Sequence, residues 1–178
     1  MREEWHWSRT YGFAQYNFYA PRRFSPFLRR AIVRAIAHSV KHNGVTAGMI
    51  YGPRYTENDI LEVTGPGMFT DAIVDVLSES LPPEHELIRI SAEVASQIPQ
   101  PQRRLTWAPF HRMQQPMWIN ISDNSNPGSA YDLLVMPINV WGNGQRHSGS
   151  DMFNHTEACA NHLFGRSWKK GWWEYLLG

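Results

Sequence analysis

The sequence predicts an α/β fold, and two apolar runs with a helical pattern between them carry that prediction. The run ILEVT (60–64) is followed by a glycine-rich break and then by helical spacing, which is the strand–turn–helix unit of α/β proteins. The run DLLVMPINVW (132–141) predicts a further strand. With 178 residues, 42% of them hydrophobic, the chain suits one domain with its own core.

The first predicted element is a helix within SPFLRRAIVRAIAHSVKHNG (25–44). Ser25 suits the N-cap, Pro26 suits the first helical position, and Asn43-Gly44 predicts the end. Apolar side chains at helical spacing predict its buried face: Leu28, Ile32, Ala35, Ile36 and Val40. The five arginines between positions 22 and 34 are expected to form a solvated opposite face.

The second predicted helix follows the GPG break and begins at Pro66. Asp71 falls near its start, where negative charge suits the helix dipole. Its apolar face is predicted to hold Phe69, Ile73, Val76 and Leu77. Pro82-Pro83 predicts its end, and HELIRI (85–90) predicts another strand.

The rest of the chain is less regular. The stretch 92–130 holds several prolines and predicts little secondary structure, and Pro137 suggests an edge or a bulge in the strand at 132–141. GNGQRHSGSD (142–151) predicts a loop, and MFNHTEACANHLF (152–164) predicts a short helix. The single cysteine, Cys159, excludes an internal disulfide framework and is expected to be a small buried residue.

Composition limits the class of function. A net charge of +1 argues against nucleic acid as the main partner. No apolar run is long enough to span a bilayer, and the first ten residues are too polar for a signal peptide, so the chain as given is expected to be soluble. Eight tryptophans offer flat aromatic faces, which suit sugars and bases but also fill cores.

Short catalytic motifs are mostly absent. There is no G-x-S-x-G, no H-E-x-x-H and no Asp-x-Asp, and the histidines at 147, 155 and 162 are irregularly spaced. Glu57-Asn58-Asp59 has the spacing of a metal-binding pair but reads as turn residues before the first strand. GPGMFT (65–70) lacks the P-loop lysine, and it is either an anion-binding turn or only a tight turn into the helix.

Three strings occur in the order in which glycosyltransferase family 32 carries them: DILEVTGPGMFTDAIVDVL, DLLVMPINVWGNGQRHSGS and NHLFGRSWKK. The chain therefore resembles this family, whose members are similar to fungal initiation-specific α-1,6-mannosyltransferases. The resemblance runs from about Gln15 to Lys170 and is poor over 92–130. The terminal string carries one residue more than the family pattern.

The resemblance implies the C-terminal portion of a GT-A type, Rossmann-like α/β domain. It implies mannosyl transfer from a nucleotide sugar such as GDP-mannose, with retention of configuration, to a glycan or glycoprotein acceptor in N-glycan elongation. It also implies Mn²⁺, which stabilises the diphosphate leaving group as a Lewis acid. A Golgi lumen location and membrane anchoring of full-length relatives complete these expectations.

The resemblance also assigns roles to residues. It implies His162 as a metal ligand, and Lys169 as a point charge on the donor phosphate with Ser167 and Gly165 beside it. Thr64 and Gly65 are expected to contact the donor. Asp71 is expected to be a catalytic residue near the sugar or acceptor.

The family's Asp-x-Asp half does not occur in the sequence. We therefore expect residues 1–178 to form a single, partial catalytic domain that is inactive as a fragment. The rival interpretation is a non-catalytic carbohydrate-binding or interaction domain that uses the aromatic surface.

Overall fold

A computed structural model describes residues 11–21, 23–46, 55–95, 105–111, 113–121, 132–144 and 149–161. These ranges contain the helices α1 (Pro26–Thr46), α2 (Glu57–Val63), α3 (Pro66–Ser80) and α4 (Glu86–Ala95), and the strands β1 (Met117–Ile119) and β2 (Leu133–Val135). Single 3-10 turns lie at Ala108–Phe110 and Ile138–Val140. This mixture of helix and a small sheet is compatible with the predicted α/β class, although helices dominate it.

The chain divides into two compact units. The helical unit comprises Met1–Met113 and Met117–Val135, and the C-terminal unit comprises Gln114–Pro116 and Met136–Gly178. In the helical unit β1 and β2 pair antiparallel, with Trp118 opposite Leu134. No helix in the described ranges is long and apolar enough to cross a membrane.

Helix α3 is the centre of the core. It begins at Pro66 after the N-cap Gly65 and ends before Pro82-Pro83, as predicted. Its four predicted core residues are buried, and Leu77 is completely so. The first turn holds no acidic residue, so Asp71 lies one turn further along than predicted.

Helix α1 begins at Pro26 as predicted but continues past Asn43-Gly44 to Thr46. Its buried side consists of Phe27 and Ala31, with Leu28 and Ala35 packed against the core. The prediction was wrong for the other three members of its apolar face, because Ile32, Ile36 and Val40 are each more than half exposed.

Ion pairs between the arginines of α1 and the carboxylates of α3 explain which side of α1 faces inward. Positions 27, 31 and 34 share one helix face, so Arg34 lies on the side of Phe27 and Ala31. Arg34 binds Asp71 and Asp75 of α3, and Arg30 binds Glu79. The expectation of a fully solvated arginine face was therefore wrong for these two residues. The ion pairs also show that α1 and α3 run antiparallel. Arg34, the later residue on α1, pairs with the earlier carboxylates of α3, and Arg30 pairs with the later one.

The run ILEVT (60–64) is not a strand, because its first four residues are the end of α2. A capping box starts this helix: the Thr56 hydroxyl accepts a hydrogen bond from Asp59 N at 3.2 Å, and Asp59 Oδ2 accepts one from Thr56 N at 2.8 Å. The hydrogen bond from the Thr56 hydroxyl and then that from its backbone lower the pKa of Asp59. Glu57-Asn58-Asp59 is thus the first turn of a helix, not a turn before a strand.

The run HELIRI (85–90) is likewise helical, as the start of α4. Leu87, Ile88 and Ser91 are buried, which is the i, i+1, i+4 pattern of a helix face. Six apolar-rich residues alone do not separate this pattern from a strand. The stretch 92–130 also holds more structure than predicted, since it includes the last turn of α4 and all of β1.

The C-terminal unit lacks the helix predicted over 152–164 within its described part, 152–161, which forms turns. The backbone N–H groups of Cys159 and Ala160 donate to Val140 O at 2.9 and 3.3 Å instead of to helical partners. Cys159 is exposed, so its predicted burial was wrong. The strand predicted over 132–141 is shortened to β2, because the chain passes into a 3-10 turn after Pro137.

Candidate functional site

The Thr64–Gly65 turn joins α2 to α3 at very close range. Thr64 N donates to Ile60 O at 3.2 Å, and Gly65 O accepts from Phe69 N at 3.2 Å. A Cβ atom on Gly65 would lie 2.6 Å from Leu61 Cα, so only glycine lets the two helices approach this closely. The turn therefore has a clear structural role.

The first turn of α3 is also where an external anion would bind. The Glu62 carboxylate lies there instead, since its Oε2 would stand 2.8 Å from a Cβ on Gly67. Gly65 and Gly67 are both buried. Of the two interpretations of GPGMFT, this geometry favours the tight turn, and donor contact by Thr64 and Gly65 stays a prediction.

Asp71 is part of an ion cluster with Arg34 and Asp75. Arg34 Nη2 lies 2.9 Å from Asp71 Oδ2, and Arg34 Nη1 binds Asp75 Oδ2. The Asp71 side chain is only 9% exposed, and those of Arg34 and Asp75 are 24% and 20% exposed. A carboxylate so placed ties α1 to α3, and its predicted catalytic role stays a prediction.

A second polar cluster lies in the C-terminal unit, and we call it the Asn139 network. Asn139 Nδ2 donates to Asp151 Oδ2 at 3.1 Å, and Asp151 N donates back to Asn139 Oδ1 at 2.9 Å. Gly144 N donates to Asp151 O at 2.9 Å, and His155 Nε2 lies 3.3 Å from Asp151 Oδ2. Asn143 Nδ2 completes the network by donating to Asn139 O at 2.6 Å. Asp151 therefore links a loop to the turn at 138–140.

Asn143 is fully buried, and its side-chain oxygen can still accept a hydrogen bond. Its Oδ1 and the Ser150 Oγ are buried without a hydrogen-bond partner in the part of the chain that the structure describes. A buried polar atom without a partner costs about 1–3 kcal/mol. A buried water is the usual partner for such atoms.

The Asn139 network ends at Asn161. Asn143 and Asn161 form a parallel backbone bridge, and Asn161 Nδ2 donates to Phe153 O at 2.9 Å. The Phe153 ring in turn lies over Gly144, where a Cβ would stand 2.2 Å from a ring carbon and where φ is +85°. Glycine is required at this position for both reasons. The network thus anchors the residue that precedes His162 in the sequence.

Most of the predicted donor and metal residues fall outside the described residues: His162, Gly165, Ser167 and Lys169. Thr64, Gly65 and Asp71 belong to the helical unit. Within the described ranges, no three His, Cys, Asp or Glu side chains come together as a metal site. The described residues alone therefore do not fit a manganese ion.

Sequence reasoning missed both polar clusters. For the ion cluster the signal was a spacing of four, with Arg30 and Arg34 on one helix and Asp71, Asp75 and Glu79 on the other. For the Asn139 network the signal in the sequence was weaker. Asn139 and Asn143 are also four apart, as are Asp151 and His155, but nothing local indicates that the two pairs meet.

The chain is similar to two curated proteins named initiation-specific alpha-1,6-mannosyltransferase. The protein from Candida albicans is 29% identical over 111 residues, which are 62% of this chain and 24% of that protein. The protein from Schizosaccharomyces pombe is 29% identical over 110 residues, 62% of this chain and 20% of that protein. These matches confirm the resemblance that the sequence motifs predicted.

The chain spans about a quarter or less of the length of these curated relatives. No family model matches it, and no solved structure matches it. The GT-A architecture therefore stays a prediction.

Proposed function

We propose that this chain is part of a mannosyl-transferring glycosyltransferase that uses a nucleotide sugar, GDP-mannose, as donor. The single observation that carries the proposal is the similarity to the two α-1,6-mannosyltransferases over 62% of the chain. Transfer with retention of configuration, to a glycan or glycoprotein acceptor in N-glycan elongation in the Golgi lumen, is part of the same proposal.

The proposed donor site lies in the terminal string. In this proposal His162 would be one ligand of manganese, and Lys169, with Ser167 and Gly165, would bind the donor diphosphate as a cation and hydrogen-bond donors. Manganese held there would supply Lewis-acid stabilisation of the leaving diphosphate. The predictions that Thr64 and Gly65 contact the donor and that Asp71 serves the sugar or acceptor belong to the same proposal.

The Asn139 network supports this proposal by its position. It anchors Asn161 through the bridge to Asn143 and the hydrogen bond to Phe153 O. His162 is the next residue in the sequence, so the backbone is held at two points up to the residue before the proposed ligand. A ligand position needs such support, because metal sites depend on orientation set by surrounding hydrogen bonds.

A chimera tests the proposal directly. The matched segment of the Candida albicans relative is replaced by this chain, and mannose transfer from GDP-mannose to a mannose oligosaccharide is measured with Mn²⁺. We expect transfer to be retained, and His162→Ala to abolish it. His111→Gln is the matched control, because His111 is exposed, contacts the Trp107 ring and belongs neither to the Asn139 network nor to the proposed ligands.

A chimera that folds and is secreted but transfers no mannose would overturn the proposal. Calorimetric titration of the chain itself with GDP, Mn²⁺ and a mannose oligosaccharide addresses the carbohydrate-binding rival. Nucleotide binding that requires the metal supports the transferase, whereas sugar binding together with no nucleotide binding would support the rival.

A further inference from the structure

Helix α1 has one apolar side that the rest of the chain does not cover. The helix packs on α3 and α2, and its other side carries an apolar stripe with helical spacing. We call this side the outward face of α1, and each of its members is more than half exposed: Ile32, Val33, Ile36 and Val40. The stripe is about 12 Å long, at 1.5 Å per residue. An exposed apolar face with a polar border marks an interaction site.

Both ends of the outward face carry a cation. Arg29 lies one turn before Val33 on the same side of the helix and is exposed. Lys41 lies beside Val40 at the other end and is also exposed. The ion pairs between α1 and α3 involve other arginines of the helix. The outward face is therefore apolar along its length and positive at its ends.

The sequence around α1 has the same sign of charge. Positions 5–56 hold eight Lys or Arg residues and no Asp or Glu, whereas the whole chain has a net charge of only +1. The carboxylates of α3 that reach α1 pair with Arg30 and Arg34. A basic segment of this kind in an otherwise acidic chain indicates a negatively charged partner, either a nucleic acid or a membrane surface.

The segment that leads into α1 adds exposed aromatic rings. Tyr19 is 86% exposed and Phe24 is 90% exposed, and the exposed Arg23 precedes Phe24. Phe24 also has a φ of +62°, a left-handed backbone conformation that is rare for a bulky side chain. The turn before the helix therefore presents this ring to the outside at an energetic cost. Exposed aromatic rings next to Arg and Lys are typical of protein segments at the membrane–water interface.

A membrane surface fits these observations better than the other negatively charged or apolar partners. Nucleic acid offers phosphates but no apolar layer that would cover the stripe. A second copy of the chain would bring together two faces that carry only cations, which repel each other. A bilayer with anionic lipids offers both a negative surface and an apolar layer beneath it, and it adapts to a convex helix without a matching groove.

We propose that the outward face of α1 and the aromatic segment before it bind the surface of a membrane that contains anionic lipids. The helix lies in the plane of the interface, with the stripe at the upper end of the acyl chains. Arg29 and Lys41 reach the headgroups, because their long apolar stems let the charges stay at the polar level. The side that faces α3 stays packed, so binding needs no unfolding. This inference does not depend on the proposed function.

Vesicle flotation with the full chain, without nucleotide or metal, tests the proposal. We expect binding to phosphatidylcholine vesicles with about 30% phosphatidylserine, and binding about tenfold weaker to phosphatidylcholine alone. Ile36→Ser should weaken binding to the anionic vesicles about tenfold, and Arg29→Gln about fivefold. The matched controls are Leu134→Ser and Arg89→Gln, because these side chains are exposed on β2 and α4 and should not affect binding.

Fluorescence shows whether the stripe enters the bilayer. Cys159, the single and exposed cysteine, is replaced by serine, so that an environment-sensitive fluorophore reacts at one introduced position. The fluorophore is attached to Ile36→Cys and, as the control, to Arg89→Cys. We expect the emission of the first to shift to the blue on anionic vesicles and that of the second to stay unchanged.

Absence of binding to anionic vesicles would overturn the proposal. Binding that Ile36→Ser leaves unchanged would also overturn it, because the basic residues alone would then be sufficient. If Ile36→Ser does not fold, Arg29→Gln decides the test, and binding equal to that of Arg89→Gln would contradict the proposal. Size-exclusion chromatography addresses the other occupant: a dimer that Ile36→Ser dissociates would assign the outward face to a second copy of the chain.

Discussion

Replacing Arg34 by methionine removes the cation that holds two carboxylates of α3. Methionine keeps an unbranched apolar stem of similar length but leaves Asp71 and Asp75 without their guanidinium. Removing one partner of a fully buried ion pair costs about 3–5 kcal/mol. The Arg34 and Asp75 side chains are still 24% and 20% exposed, so water screens the pair in part. We therefore expect the free energy of unfolding to fall by about 2–3 kcal/mol.

The assay is urea unfolding followed by circular dichroism, and Arg30→Met is the matched control. Arg30 lies one turn before Arg34 and pairs with Glu79. The Arg30 side chain is 35% exposed and that of Glu79 is 60% exposed. An exposed pair contributes at most about 1 kcal/mol, so the control should change the free energy of unfolding much less. Both variants remove one arginine, so their net charges are equal.

A rescue variant tests whether the loss comes from the two negative charges of α3. Adding Asp71→Asn and Asp75→Asn to Arg34→Met removes the two carboxylates that Arg34 binds, and most of the lost free energy should return. The reasoning is refuted if Arg34→Met costs no more than Arg30→Met. It is equally refuted if the two asparagines leave the loss unchanged.

Two further predictions concern α2 and its joint to α3. Gly65→Ala places a Cβ against the Leu61 backbone and should lower the free energy of unfolding in urea by about 2–3 kcal/mol. Gly67→Ala is the control, because its Cβ meets only the end of the flexible Glu62 side chain and should lower that free energy less. Equal losses in the two variants would contradict this account. The pKa of Asp59 is lowered in the folded state, so its contribution is complete above the ordinary value of about 3.9 and is lost as the pH falls through the lower folded value. Unfolding measured from pH 6 to pH 2 should show this loss in the wild type, and Asp59→Asn should be flatter over the same interval.

The sequence was a good guide where a residue acts on its own backbone. Pro26 and Pro66 marked the first turns of α1 and α3 correctly, because a proline fixes its own φ and needs no partner. It was a poor guide for short runs. ILEVT and HELIRI are each less than two helical turns long, and over that length strand and helix patterns overlap.

Features that depend on contacts between distant parts of the chain could not be predicted from the sequence either. The inward side of α1 depends on the carboxylates of α3, so Ile32 and Ile36 looked like core and Arg34 looked like surface. The Asn139 network joins residues twelve positions apart through hydrogen bonds that no local pattern indicates.

The contact between Gly65 and the Leu61 backbone has a dynamic consequence. Two helices that meet backbone to backbone, with no side chain between them, have no soft layer in which to hinge. The last turn of α2 and the first turn of α3 should therefore open together, as one cooperative unit, in native-state hydrogen exchange. The amides of Thr64 and Phe69 donate to Ile60 O at the end of α2 and to Gly65 O at the start of α3, on the two sides of this joint, and would then exchange at a common rate set by the opening of the pair.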